Sequence, residues 1–597
     1  MRVSQNDRGG GDIAAAICFS ILALLPATLP ARAADPPARL GAPQRLTPAP
    51  RVDAPNVATP APPDAAPLDA TVGRNGIRVD PLAPLDPDWA GPLTEAQDGF
   101  PLDLWQGTPR ELVTAMVPRI GATNSPTLQS LMRRLLLSNA RPPADAAASG
   151  DHVGFAALRI DRLAAAGQIE AANALVAIAP ASGEVEPLER RYVELAFLAN
   201  DRKTACDRVG EDVRRYQGVW WSRALIACQA LGGDRAKASL GLDLLHEQKA
   251  PKDEAFDALV QAVGGGKAKL DRLADPSPFH LALLAAAKLP LPNEALNTAS
   301  PAVLRAWAGA EGAPAAQRLA AAERAAALGA LPLADLRSLY GAAEFTADER
   351  ASAVSRAGTE KGARSHALFY VTAQSESFAP TRAETLQAML EKARRDGDFV
   401  FVSHVAEPLL REIRPSRDLA WFAPNAARAL LATGRTGEAQ AWLAVAAPDA
   451  MADLFIPWRL ALGRDGPSWD AKLLTESLAG SLKSDDEAGA RRGALALALL
   501  AGFDESVTAA EWAPFAARLP LVSLDLPGAP IWFELPRAAA EHRLGETVLL
   551  ALVTAGEGDR LTPQPVPLAR AIAALRGVGL EAEARAIAVE AALGAGL

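Results

Sequence analysis

Cysteine is scarce, with 3 in 597 residues. That excludes a disulfide-dense scaffold and a cysteine-rich metal module. Aromatic residues make up only 5% of the chain, against 49% hydrophobic residues overall. Small aliphatic side chains must therefore do most of the packing, as expected of closely stacked helices. A basic excess is also missing: 61 Lys and Arg face 70 Asp and Glu, for a net charge of −9. No basic stripe exists to neutralise phosphates, so nucleic acid is not expected as a partner. Beyond the N-terminus no apolar run is long enough to span a bilayer; 495–501 and 547–554 are too short. Strand-like alternation of apolar and polar residues is absent as well.

Recognisable chemistry is missing too. The six histidines are His152, His246, His280, His366, His404 and His542. No two have metal-ligand spacing, and no His-Glu-x-x-His is present. They read as surface or hydrogen-bonded histidines. Gly264-Gly265-Gly266-Lys267 falls short of a phosphate loop. Ala268 stands where Ser or Thr should hold magnesium, no glycine opens the motif, and no strand precedes it. A helix stop is the better reading. There is no Gly-x-Ser-x-Gly elbow. No catalytic residue, cofactor or metal is expected.

What is present begins with a targeting segment. Arg2 and Arg8 lie in a short polar start, followed by a mostly apolar run from Ile13 to Leu29 that Pro26 interrupts. Ala31-Arg32-Ala33 is the small-x-small pattern a signal peptidase accepts, so residues 1–33 read as a signal peptide cleaved after Ala33. The alternative is an uncleaved anchor, for which the run is short. Cys18 lies inside the run behind bulky Ile17, unlike a lipoprotein cysteine. The chain is expected to be exported, to a bacterial periplasm.

Residues 34–72 carry ten prolines among alanines and scattered charge, which leaves no room for a helix or ladder. They read as a disordered linker: a tether, or simply a tolerated tail. Over 73–104, spaced apolar residues such as Ile77, Trp89, Leu93, Phe100 and Leu104 recur among prolines. This reads as an extended strap docked on the body, the alternative being a short motif for another protein. From 105 to 597 the reading is helix after helix, with possible sub-boundaries near 264–278 and 519–535. The last of these, with its prolines, reads as an irregular connector, and a helix is expected over 536–555.

Four places in the body repeat one device: Gly167 with Ala172, Gly233 with Ala238, Gly434 with Ala439, and Gly579 with Ala584. The Gly ends one helix in the left-handed conformation, and the small Ala of the next lets a neighbour approach closely. Apolar or small residues follow each Ala at +3, +4 and +7, such as Trp442, Leu443 and Ala446. At these hairpins the chain resembles a degenerate tetratricopeptide repeat. Gly434-Arg435-Thr436-Gly437-Glu438-Ala439 is the nearest copy, and Gly167 and Gly233 lie 66 residues apart, close to twice that family's period. The later copies do not hold the period, and the family's aromatic positions are mostly missing. The resemblance implies an all-α, right-handed superhelical solenoid of antiparallel helix pairs, with a concave face for a protein or peptide.

Two functional readings follow. The first is an exported scaffold that binds another envelope protein or an extended peptide. The second is an envelope enzyme or enzyme accessory acting on cell-wall polymer. Some lytic transglycosylases resemble this chain in location and repeat style, but their Gly-Leu-Met-Gln segment and catalytic Glu-Ser are absent. Trp220, Trp221, Trp458 and Trp532 with Phe533 are the notable aromatics. They read as buried anchors between repeats, or as partner-binding residues wherever they lie open. Signal cleavage leaves Cys206 and Cys228, an even number in an oxidising compartment. With a turn near Gly218, both lie about 15–18 Å from it on antiparallel helices, at similar height. A disulfide is expected; the alternative is two small buried thiols.

Overall fold

Gly167, Gly233, Gly434 and Gly579 all have positive φ, between 71° and 87°. Ala172, Ala238, Ala439 and Ala584, which follow them, are all buried. Each pair of helices so joined packs together: Phe155–Ala165 with Ile169–Ile178, Val219–Leu231 with Arg235–Glu247, Ala423–Ala432 with Thr436–Leu443, and Pro565–Gly577 with Glu581–Gly594. At Gly167 closeness adds to conformation, since an added Cβ would lie 2.5 Å from the Ala330 Cβ.

The computed structural model describes residues 87–144, 154–178, 185–356, 362–448, 450–483, 487–519, 528–555 and 564–597. The proposed signal peptide, the linker 34–72 and residues 73–86 of the strap lie outside this set. Among the described residues there are 29 α-helices and no strand, only two isolated bridges. The protein is all-α. None of the helices is long and apolar enough to cross a membrane. Most successive helices among the described residues pack on one another. Helices two apart also touch, as Ala379–Asp396 does with Ala423–Ala432.

Residues 87–104 lie against the body. Leu93 N donates to Leu137 O, Asn139 N to Leu93 O, and Gly545 N to Leu104 O. Phe100 N donates to Ser138 Oγ at 2.8 Å. Arg159, 1% exposed, gathers this segment onto the helix Pro126–Leu137. Its guanidinium donates to the carbonyls of Asp88 and Ala90 on one side and of Leu136 and Ser138 on the other. Burial lowers its pKa to about 10, with Asp88 partly offsetting, so it stays charged at neutral pH.

The chain also closes on itself. In an open solenoid each repeat touches only its neighbours. Here the last helix, Glu581–Gly594, packs on Pro565–Gly577 before it and also on Pro126–Leu137, Phe399–Arg411, Ala423–Ala432, Ala450–Leu462 and Glu487–Ala501. Glu590 of this helix accepts hydrogen bonds from Ser125 Oγ, Thr127 Oγ1 and Thr127 N, at the N-terminus of Pro126–Leu137. Arg134 adds an ion pair to Glu583 at 2.6 Å. Leu82–Leu597 forms one compact unit.

Cys206 on Arg202–Asp212 and Cys228 on Val219–Leu231 are bonded, with Cα atoms 5.4 Å apart. Ala205, Ala224 and Ala227 are fully buried between these two helices' neighbours, which allows the close approach. Gly264 caps the helix Glu254–Val263 and Gly265 has φ 97°, so the glycine run acts as a helix stop.

The expected connector over 519–535 needs correction. Residues 520–527 lie outside the described set, but a helix runs from Ala529 to Ala540. Pro530 occupies its first turn, where no donor is needed. Pro536 sits inside it and only forfeits the bond to the Trp532 carbonyl. Of the prolines in that stretch this helix absorbs Pro530, while Pro520 and Pro527 lie outside the described residues; the helix expected over 536–555 is two, Ala529–Ala540 and Leu544–Ala555, and Trp532 and Phe533 are helical residues.

Candidate partner-binding surface

The four tryptophans separate cleanly. Trp221 is 1% exposed, and its Nε1 donates to Glu186 at 3.0 Å. Trp458 is 6% exposed and belongs to the core. Neither offers a surface to a partner, because the helices that carry them turn them between neighbours. Trp220 is half-buried, edge-on to Trp221 and 5.3 Å from the Phe279 ring, with Arg190 over its face. It is an anchor with one covered face. Trp532 alone lies beside open apolar surface: Phe533, next to it, is 70% exposed.

Helix periodicity explains this. On Ala529–Ala540, Leu535, Ala538 and Ala539 are buried, while Pro530, Phe533 and Arg537 at +3 and +4 spacing face outward. This helix packs on Pro565–Gly577. That neighbour presents Val566, 54% exposed, and one turn on, Arg570. The Arg570 guanidinium lies 4.0 Å from the centroid of the Trp532 ring. Its Nε is buried without an acceptor. The arginines around it differ. Arg537 pairs with Glu534 and Glu541, and Arg543 with Glu534, Glu541 and Glu546. The surface therefore combines two aromatics, a valine and an arginine whose charge no described carboxylate answers. Trp, Tyr and Arg dominate binding hot spots for this reason: large contact area at small entropic cost. Val566 and Arg570 were not singled out in the sequence, since nothing local marks them; the pairing with Trp532 is made by the fold.

A narrow cleft, with hardly more room than a water molecule, lies among Ile120, Thr123, Gln129, Met132, Leu328 and Leu552, with Arg162 its one charged lining residue. It holds no carboxylate pair. His366 is buried between two carboxylates, with Nδ1 3.0 Å from Glu323 and Nε2 3.5 Å from Asp398. Tyr340, also buried, donates its hydroxyl to Glu323. Burial opposes charge on the His366 ring, but the hydrogen bond and charge of Glu323 and the charge of Asp398 outweigh it, against Lys392, and raise its pKa. These groups join the helices Ala315–Ala327 and Leu333–Gly341 to Ala363–Ser375. The cluster reads as a structural seam between these helices.

Of the other histidines, His246 pairs with Asp257 and His280 with Asp253 and Ser277, the Nε2 of His404 is buried without a hydrogen-bond partner, and His152 lies outside the described residues. Among the described residues no group of His, Cys, Asp and Glu is arranged to hold a metal. No family model, no curated protein and no solved structure matches this chain.

Proposed function

We propose that the protein is an exported, periplasmic scaffold that binds another envelope protein or an extended peptide. Its body would be a right-handed superhelix of tetratricopeptide-like hairpins, with the ends drawn together by the Glu590 contact. Export rests on residues 1–33, and the Cys206–Cys228 bond suits an oxidising compartment. The left-handed glycines and buried alanines of the four hairpins support the repeat reading.

The observation that carries the binding reading is the open surface of Trp532, Phe533 and Val566 around Arg570. A monomer gains nothing from keeping such residues in water, whereas a partner covering them gains apolar burial and an ion pair. Cross-linking in intact cells, followed by mass spectrometry of captured proteins, tests this. Recovery of a discrete envelope protein is expected. Recovery of none, where known envelope complexes are captured in the same cells, overturns the scaffold reading.

A further inference from the structure

Resting on that reading, we infer that the surface of Trp532, Phe533, Val566 and Arg570 takes a peptide segment in which a carboxylate side chain is flanked by aliphatic ones. The carboxylate pairs with Arg570, and the aliphatic neighbours cover Phe533 and Val566. Charge complementarity selects this occupant. Arg570 is held in place by its stack on Trp532, at 4.0 Å, and makes no ion pair among the described residues. A guanidinium is a rigid fork of donors that matches a carboxylate with two parallel hydrogen bonds. Its Nε is buried, so an incoming carboxylate meets the terminal Nη donors and gains their attraction and hydrogen bonds.

The surroundings narrow the class further. Glu534, Glu541 and Glu546 are engaged by Arg537 and Arg543, so among the described residues they do not compete for Arg570. Nucleic acid would ask for several cations in a row, and among the described residues of this surface Arg570 alone is left without an ion pair. Phe533 at 70% and Val566 at 54% exposure ask instead for apolar side chains on either side of the charge.

Fluorescence anisotropy with two labelled, capped peptides tests the proposal on the mature full-length chain. One alternates Leu and Glu, the other Leu and Gln. The Glu peptide is expected to bind about tenfold or more tightly than the Gln peptide, a preference that weakens with salt as a surface ion pair does. Arg570→Gln should abolish the difference, and Arg570→Lys should keep part of it, since the charge stays while the planar fork and its stack are lost. Thermal melts of both variants establish that they fold. Equal affinity for the two peptides, no binding of either at 1 mM, or unchanged discrimination by Arg570→Gln would each overturn the inference. Cellular capture through Phe533 persisting alongside any of these results would leave the scaffold reading standing and remove only the acidic partner.

Discussion

Glu590 should make the fold more stable in mild acid than in mild base. It is fully enclosed, and burial raises its carboxyl from an ordinary 4.5 to about 7, with the bonds from Ser125 and Thr127 opposing. The sign follows from linkage. A carboxyl whose folded pKa exceeds its unfolded pKa binds protons more readily in the fold. Its burial costs nothing extra below pH 4.5, and the penalty grows as pH climbs from there to about 7, then levels off. At 1.36 kcal/mol per unit, the plateau is about 3 kcal/mol. Glu590→Gln removes the titration and keeps the contacts: Oε1 accepts from Thr127, and Nε2 donates to Ser125 Oγ. Denaturant midpoints of both proteins between pH 4.5 and 8.5 are the assay. The two should nearly coincide at pH 4.5, with Gln drawing ahead by a few kcal/mol at pH 8, less about 1 kcal/mol for an imperfect hydrogen bond. Parallel curves, or a Gln variant that falls behind as pH rises, would refute the reasoning. Amide exchange of Pro126–Leu137 should show the same trend locally.

Arg159→Met leaves four carbonyls without their buried donor and should cost about 3 kcal/mol, seen as a lower melting point and protease cleavage within 87–104. His366, whose pKa is raised, contributes stability that is complete below its ordinary 6.5 and is lost as pH rises through the folded value. Protection of the Ala315–Ala327 and Ala363–Ser375 amides, relative to their intrinsic exchange rate at each pH, should therefore be lower at pH 9 than at pH 6, and His366→Gln should flatten that dependence. Replacing Cys206 and Cys228 by Ser frees a loop spanning 22 residues and should lower stability by about 3 kcal/mol, an effect that reductant reproduces in the parent and not in the variant.

How far the sequence carries depends on the range of the interaction. The left-handed glycines were legible because φ is a local property that Gly relieves locally. The cysteine pair was legible because two helices joined by one short turn have a predictable register. Pro530 hid the true start of its helix, because a proline in the first turn forfeits no bond, and Pro536 was read as a start because a proline inside a helix is tolerated only where packing absorbs one lost bond. Glu590 was invisible: its partner Ser125 is 465 residues away, and no periodicity links the two. The same holds for His366 with Glu323, and for Trp532 with Arg570. Trp221 and Trp532 look alike in composition and differ only in which helix face the neighbours cover.

Whether Trp532, Phe533 and their surroundings are an occupied binding surface is tested most directly in intact cells by a photo-cross-linking amino acid placed at Phe533, against one placed at the exposed Lys203. A discrete adduct is expected from position 533, absent from position 203 and diminished by Arg570→Gln. No adduct at 533, or the same pattern from both positions, would contradict that occupancy.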